Sequence, residues 1–446
     1  MLFGIGLLQL FLYVQLLAIR NFAADIVGYL TIFFEIFVAY LAASILSLKI
    51  TGDLQKTTSR QIIVLVLAFS VSFRLLMILT PATLSKDILR FAWDGRVFGH
   101  GIDPYAYRPA ASELDWLKNV PYFEDYDHKN EISPYPPVAQ LFFLSVNLLS
   151  GSLLGFKVAA TVLDVANCLL LAHLLDKAST RRLIGGLVLY SWSPLLIVEF
   201  SSSGHMDSLP IFCILTSLTL LAKTRFLSSA VSYSLAVWSR IYPVLILPLY
   251  LQHLKHREDQ SLVSRCLFVF SIVSIALLIL SVFSSGLNLF LGQIRYASAW
   301  FYNPSIFLLL EIALGGLSAQ MGVPNSLARV LVLFIFLALS IFVHRKRLRD
   351  LEELAYYSVL ILGLGLLLAP TVFPWYVSWL LAFCSIAGLN SRTLPWIVLS
   401  GTVNLGYLLQ FMKGADIVQV TLIEYLPVYL MLAVAYLPRC VRDWIR

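Results

Sequence analysis

Residues 81–109 read P-A-T-L-S-K-D-I-L-R-F-A-W-D-G-R-V-F-G-H-G-I-D-P-Y-A-Y-R-P, and the polar character continues to H-K-N-E-I-S-P-Y-P-P at 128–137. Between 81 and 133 lie Asp87, Asp94, Asp103, Asp115, Asp125 and Asp127, with Glu113, Glu124 and Glu131. The chain has 25 Asp and Glu in 446 residues, so these nine make the segment about three times as acidic as an even spread would. A segment of this kind cannot sit in hydrocarbon, where each charge is costly. On both sides of it the chain turns strongly apolar. Hydrophobic residues make up 59% and charged residues 13%, against roughly 25% charged in a soluble domain, and the mean hydropathy is +0.83. Apolar runs long enough for about 30 Å of hydrocarbon recur throughout, whereas a membrane β-barrel needs alternating segments of about ten residues. The sequence therefore predicts an all-α, polytopic transmembrane helical protein, a single membrane domain over 1–446. Residues 83–133 form its large first extracytoplasmic loop.

Upstream of the loop, apolar stretches cover 1–20, 27–49 and 61–82. The start, M-L-F-G-I-G-L-L-Q-L-F, lacks the basic flank and small-residue cleavage site of a signal peptide and reads as a retained first span. Lys49, Lys56 and Arg60 place the connection K-I-T-G-D-L-Q-K-T-T-S-R on the cytoplasmic side, so the third span delivers the loop to the opposite face. By the same rule H-L-K-H-R (253–257), H-R-K-R-L-R (344–349) and the tail R-C-V-R-D-W-I-R (439–446) are cytoplasmic, the C-terminus with them. Downstream, the candidate spans are 136–154, 157–175, 183–200, 206–222, 226–251, 264–285, 327–344, 355–372, 375–390, 394–411 and 418–437, with a shorter, re-entrant candidate at 304–317. About 11 to 13 crossings are expected. Arg181 and Arg182 belong in the cytoplasm, so one of the two segments before them does not cross; the sequence does not say which. Within 226–251, S-R-I-Y-P predicts two short helices broken at Pro243.

The net charge of +7 comes from basic residues at span ends, with no compact basic domain, which argues against nucleic-acid binding. Cys168, Cys213, Cys266 and Cys384 lie in or at the edge of apolar runs and Cys440 in the basic tail, in no CxxC spacing. Neither a disulfide nor a thiolate metal site is expected.

Four interruptions return to the face that carries the acidic loop: G-H-M-D (204–207), S-R-I-Y-P (239–243), F-Y-N-P-S (301–305) and A-P-T-V-F-P-W-Y (369–376). Non-helical backbone at membrane depth must be buried in protein or line a wet cavity, so a shared cavity is predicted. Asp87 and Asp94 lie two turns apart on one face of a helix over 85–98. Asp87 stands where the third span ends, placed to act as general base on a hydroxyl at the membrane surface. The same spacings equally suit solvated ion pairs with Arg90 and Arg96. His205 and Asp207 flank a helix start, where an H-x-D pair can hold a divalent metal or orient a phosphate; helix capping beside an interfacial histidine is the simpler alternative. Arg240 is an arginine inside an apolar segment, which marks a functional site with an anionic partner, and its fork suits a phosphate. Asp164 reads as an interhelical hydrogen bonder and Glu199 lies near the G-H-M-D turn; Glu311 has no assigned role. Tyr105, Tyr107, Tyr135, Trp300, Tyr302, Trp375 and Tyr376 form an aromatic set, either a membrane belt or in part a sugar-stacking surface. His128 and Tyr242 complete the candidate substrate contacts.

These motifs together resemble the multi-pass GT-C glycosyltransferases, in particular bacterial mannosyltransferase-like members that use polyprenyl-phosphate sugars. The resemblance rests on D-I-L-R-F-A-W-D-G-R-V-F-G-H-G-I-D-P-Y-A-Y (87–107), Y-P-P-V-A-Q (135–140), S-G-H-M-D-S-L (203–209), R-I-Y-P (240–243) and F-P-W-Y-V-S-W (373–379), about two thirds of the chain. It implies a polyprenyl-phosphate sugar donor, often mannose, a lipid or glycan acceptor, and inverting transfer without a covalent intermediate. The catalytic base it implies is the acid that opens the first extracytoplasmic loop, here Asp87. Relatives often carry two consecutive acids at that point, whereas this chain has Lys86 and Asp87, which leaves open the divalent cation (Mg or Mn) that some branches of the superfamily use. Arg240 and His205 are then candidates to stabilise the leaving phosphate. The expected setting is a bacterial plasma membrane, amid its lipids, with chemistry at the extracytoplasmic face.

Two other functions fit the same composition. A flippase or transporter of a lipid-linked sugar would show internal repeats and midplane breaks; no repeat is seen and the polar groups converge on one face. A GT-C-type glycan ligase using a lipid-diphosphate donor differs in donor charge, which one arginine does not decide.

Overall fold

In hydrocarbon every backbone N–H and C=O must be satisfied within the segment or the bundle, so the apolar runs fold as helices. The computed structural model describes residues 1–50, 56–257, 260–320, 326–345 and 348–436. Cys440 and the basic tail lie outside the described residues, as do residues 51–55, Lys346 and Arg347 from the basic connections. Among the described residues, eight helices are long and apolar enough to cross a membrane, nine if the pair Thr180–Ser191 and Pro194–Ser202, bent by 45° at Pro194, counts as one span. Five shorter apolar helices accompany them, including Leu2–Ala18, Pro137–Leu149 and Ser208–Ala222. The chain is a multi-pass helical membrane protein, and the expected 11 to 13 crossings fall between the long helices alone and the long and short ones together.

Length distinguishes the two segments before Arg181. Leu153–Leu175 has 23 residues, while Pro137–Leu149 has 13, about 20 Å at 1.5 Å per residue and too short for the hydrocarbon. This short helix packs on the helix Asp87–Gly99, with Phe91 stacked on Phe143 at 4.7 Å. The approach is close because residue 95 is glycine: a Cβ there would lie 2.5 Å from the Phe143 carbonyl oxygen. Ile88, Phe91, Tyr135, Phe143, Phe156 and Met206 bury one another around this contact. The acid-rich loop has a small core of its own in Trp93, Val97, Leu114, Leu117 and Phe123. It is therefore a folded cap that packs on the later turns of the Asp87 helix, through Trp93 and Val97.

The break expected at Pro243 falls instead at Arg240, which is extended (φ −153, ψ 144) after the helix Phe226–Ser239. Pro243 sits in the first turn of the next short helix, Tyr242–Ile246, where its missing N–H costs nothing. The helix Asn288–Ala299 was not foreseen, because its 12 residues mix polar and apolar types too evenly to stand out as an apolar run.

Deep among the helices, Arg74 pairs with Asp164: Nη2 and Nε lie 2.7 and 2.8 Å from Oδ2, and both side chains are fully buried. Arg74 also donates to the carbonyls of Ser70 and Ser191. The interhelical role read for Asp164 is thus realised, with an ionic partner. Removing one member strands the other charge, so Arg74→Met or Asp164→Leu is each expected to destabilise by about 3–5 kcal/mol, while the double replacement recovers most of the loss. Thermal unfolding of the four proteins in one detergent checks this; equal midpoints for single and double variants would contradict it.

Candidate active site

The four interruptions meet. Gly204 takes φ +74, and a Cβ there would lie 2.6 Å from Ile88 Cδ1, so glycine lets the G-H-M-D turn press against the Asp87 helix. Tyr302 pairs by backbone with Pro370 and Val372, its N–H donating at 3.1 Å and its carbonyl accepting at 2.8 Å. Rings then stack in a line: Tyr302 on Phe373 at 4.5 Å, Phe373 on Trp375 at 4.5 Å, and Trp375 on His205 at 3.8 Å. Arg240 Nη2 reaches Asp207 Oδ2 at 3.1 Å, and Trp379 Nε1 donates to the other carboxylate oxygen at 2.8 Å. Tyr242 stacks on Trp379 at 4.0 Å.

These elements and the loop enclose a cavity of about 370 Å³. Of the residues singled out from sequence, Asp87, Arg90, His128, Tyr135, Arg240, Tyr242, Trp300, Trp375 and Tyr376 line it. Asp94, His205 and Asp207 stand behind its wall. Asp94 is buried, held by Arg90 Nε at 2.8 Å, Ser133 Oγ at 2.6 Å and Gln140 Nε2 at 3.0 Å. Arg96 pairs with neither acid and donates instead to the Leu117 carbonyl. The ion pair expected from the spacing is realised between Arg90 and Asp94 alone, and it is buried and not solvated. Arg90 also binds Tyr126 and the Glu131 carbonyl, which ties the loop down over the cavity.

Asp87 lines the cavity along with Asp127 and Glu131, and about a third of its side chain is accessible (33%). Tyr135 Oη donates to its Oδ2 at 3.3 Å. Burial raises its pKa above the ordinary 3.8; Arg240 acts against this, Asp207 adds to it, and His128 and the Tyr135 hydrogen bond lower it. Arg240 lies over the Tyr135 ring, 5.2 Å from its centroid, so cation, phenol and carboxylate share one wall. Lys86 also lines the cavity and pairs with Asp127 at 2.8 Å.

The donor set around Asp87 does not fit a divalent cation. Asp127 is matched by Lys86 and Asp207 by Arg240, and among the described residues no three His, Cys, Asp or Glu side chains are grouped to hold one.

Sequence reading missed Tyr126, Gln293, Tyr296 and Trp379 in the lining. The i, i+4 aromatic pair Tyr296 and Trp300, on the unforeseen helix and its end, was the available signal; their rings lie 5.1 Å apart and Trp300 faces His128 at 4.8 Å. Tyr105 and Tyr107 stay outside the cavity lining.

A family model described as Alpha-(1->6)-mannopyranosyltransferase, N-terminal domain, matches residues 14–255. The match takes in Asp87, His128, Tyr135, His205, Asp207, Arg240 and Tyr242 and stops short of Trp375 and Tyr376. No curated protein matches the chain.

Proposed function

The chain belongs to the alpha-(1->6)-mannopyranosyltransferase family, whose model spans more than half of it, and from that membership we propose that the donor is polyprenyl-phosphate mannose and the acceptor a lipid or glycan hydroxyl, with Asp87 as base. As a mannosyl-transferring glycosyltransferase the chain needs a sugar donor and an acceptor that meet in one site. The observation that carries the proposal is that the Asp87 carboxylate and the Arg240 guanidinium open into the same aromatic-walled cavity. Asp87 takes the proton of the acceptor hydroxyl, the freed oxygen forms the bond to the anomeric carbon, and the bond from that carbon to the phosphate oxygen breaks on the opposite side. A single displacement inverts the anomeric centre, so an alpha-linked product calls for a beta-linked donor. The lipid phosphate leaves without needing a strong acid, and Arg240 meets its charge.

A lipid donor is supported by an apolar groove of about 310 Å³ that shares Tyr242, Tyr376 and Trp379 with the cavity and runs past Leu333, Phe336 and Leu366. A prenyl chain fits there with its phosphate at Arg240. The basic connections support an extracytoplasmic loop, and with it the chemistry, and the family resemblance supports a bacterial plasma membrane as the setting. Residues 83–133 act as the catalytic cap of one membrane domain.

The test offers purified full-length protein label in polyprenyl-phosphate mannose or in a nucleotide-activated mannose, with membrane lipids as acceptor. Transfer to an alpha-linked product from the lipid donor alone is expected. Transfer from the nucleotide sugar would overturn the donor assignment. Transfer only from a lipid-diphosphate glycan would establish the ligase reading, and movement of donor across liposomes without transfer the flippase reading.

A further inference from the structure

Directly behind Asp87 lies a buried pair that the reaction above does not use. The His205 ring is wholly buried, and neither of its nitrogens has a hydrogen-bond partner. Its Nδ1 is 3.9 Å from Asp87 Oδ2 and its Nε2 is 3.4 Å from Glu199 Oε2. Glu199 is also fully buried; its Oε1 accepts Tyr407 Oη at 2.8 Å, while Oε2 has no partner. Stacking on Trp375 at 3.8 Å and the edge of Phe91 at 6.5 Å hold the imidazole in this plane, so it cannot turn towards other partners.

A buried, unpaired imidazole next to Arg240 is neutral: desolvation first, then the Arg240 charge, keep its pKa well below the usual value. A neutral imidazole has one donor and one acceptor nitrogen, and the partner of one fixes the role of the other. If Nε2–H donated to a Glu199 carboxylate, the Nδ1 lone pair would face the Asp87 carboxylate, setting acceptor against acceptor. If Glu199 is a neutral carboxyl donating to Nε2, Nδ1–H points at Asp87 Oδ2. Only the second arrangement lets the imidazole donate to an ionised Asp87 beside the Tyr135 hydroxyl.

We propose that His205 is a positioning residue for Asp87: its Nδ1–H, fixed in that tautomer by the neutral carboxyl of Glu199, holds Oδ2 jointly with the Tyr135 hydroxyl and leaves Oδ1 directed at the acceptor hydroxyl. This rests on the reading of Asp87 as base. The separations are 3.9 and 3.4 Å, and hydrogen bonds of catalytic groups often reach their working length only in the complex with substrate. The other groups that face Asp87 are Arg240, Asp207, His128 and Tyr135, with the Tyr126, Tyr296 and Tyr376 phenols, and Asp207 also faces Glu199. All stay in place in the variants below.

The experiment measures kcat, donor KM and the pH profile of transfer for full-length His205→Phe, Glu199→Leu, Glu199→Gln and Asp87→Asn, each matched to wild type by elution volume in detergent. Phenylalanine keeps the stack on Trp375. His205→Phe and Glu199→Leu should lose kcat by roughly tenfold or more, a share of the about 10²–10⁴ a positioned base supplies, with little change in donor KM. Losing a hydrogen bond to the ionised form raises the pKa of Asp87, so the acid limb of the profile moves to higher pH. Glu199→Gln should recover most of the turnover lost in Glu199→Leu, because its amide N–H donates to Nε2 while its carbonyl accepts from Tyr407. Glutamine as damaging as leucine would overturn the proposal, as would an unmoved acid limb in His205→Phe. Should His205→Phe fail to fold, the two Glu199 variants decide. Normal turnover in Asp87→Asn would remove the base reading itself; an inactive Asp87→Asn beside an unmoved limb would remove only the role given to His205.

Discussion

Asp87→Asn is expected to lower mannosyl transfer by roughly 10²–10⁴-fold, the usual contribution of a positioned general base, while the protein folds and binds donor as before. Asparagine keeps the shape of the side chain and can still accept from Tyr135, which donates to Oδ2 at 3.3 Å. What it lacks is an oxygen able to take the acceptor proton. The loss should therefore appear in kcat, with donor affinity near wild type, in label transfer and in a direct donor-binding measurement. The wild-type pH profile carries the same information. Burial raises the Asp87 pKa above 3.8, and a base works only when ionised, so transfer should fall as pH drops through a value higher than the ordinary one for an aspartate. Substantial turnover by Asp87→Asn would end the assignment, and an acid limb at or below the ordinary value would contradict the buried setting of this carboxylate.

The fold was legible because lipid allows a chain few options. Apolar runs of span length had to be helices, and each Gly- or Pro-broken stretch had to be buried or line a cavity. That rule alone foretold that the G-H-M-D turn, Arg240, Tyr302 and Trp375 would come together. Depth was not legible. Asp87 and Asp94 are equivalent by spacing, and what separates them is Ser133 at the far end of the loop and Gln140 on the helix that follows, which close over Asp94. His205 and Asp207 read as ligands for a metal or a phosphate, yet the first is buried under Trp375 and the second is occupied by Arg240 and Trp379. Those partners lie more than thirty and up to about 170 residues away, beyond any local pattern. Arg74 is different, since an arginine in an apolar run is the same signal that singled out Arg240. Its partner Asp164 was noticed while Arg74 was not, so that miss was one of reading and not of physics.

Arg240→Ala is expected to weaken donor binding by roughly ten- to a hundredfold, the worth of a hydrogen bond to a charged group, and to slow transfer as well. The guanidinium is well placed for a phosphate: only Nη2 is engaged, at Asp207, and the Nε–H has no partner. Its position by the groove shared through Tyr242 and Trp379 puts that free capacity where the lipid phosphate would arrive. The single variant also leaves Asp207 buried with Trp379 as its remaining partner, and a stranded carboxylate can disturb the site without any role in binding. Arg240→Ala with Asp207→Asn separates the two effects. The double variant no longer strands a charge, so a binding defect that persists in it belongs to the lost phosphate contact. Arg240→Lys adds a second arm: lysine restores charge but not the planar fork, so partial recovery of affinity is expected from it. Donor affinity returning to wild type in the double variant would show that Arg240 serves the wall of the site and not the phosphate, and the leaving group would need another cation.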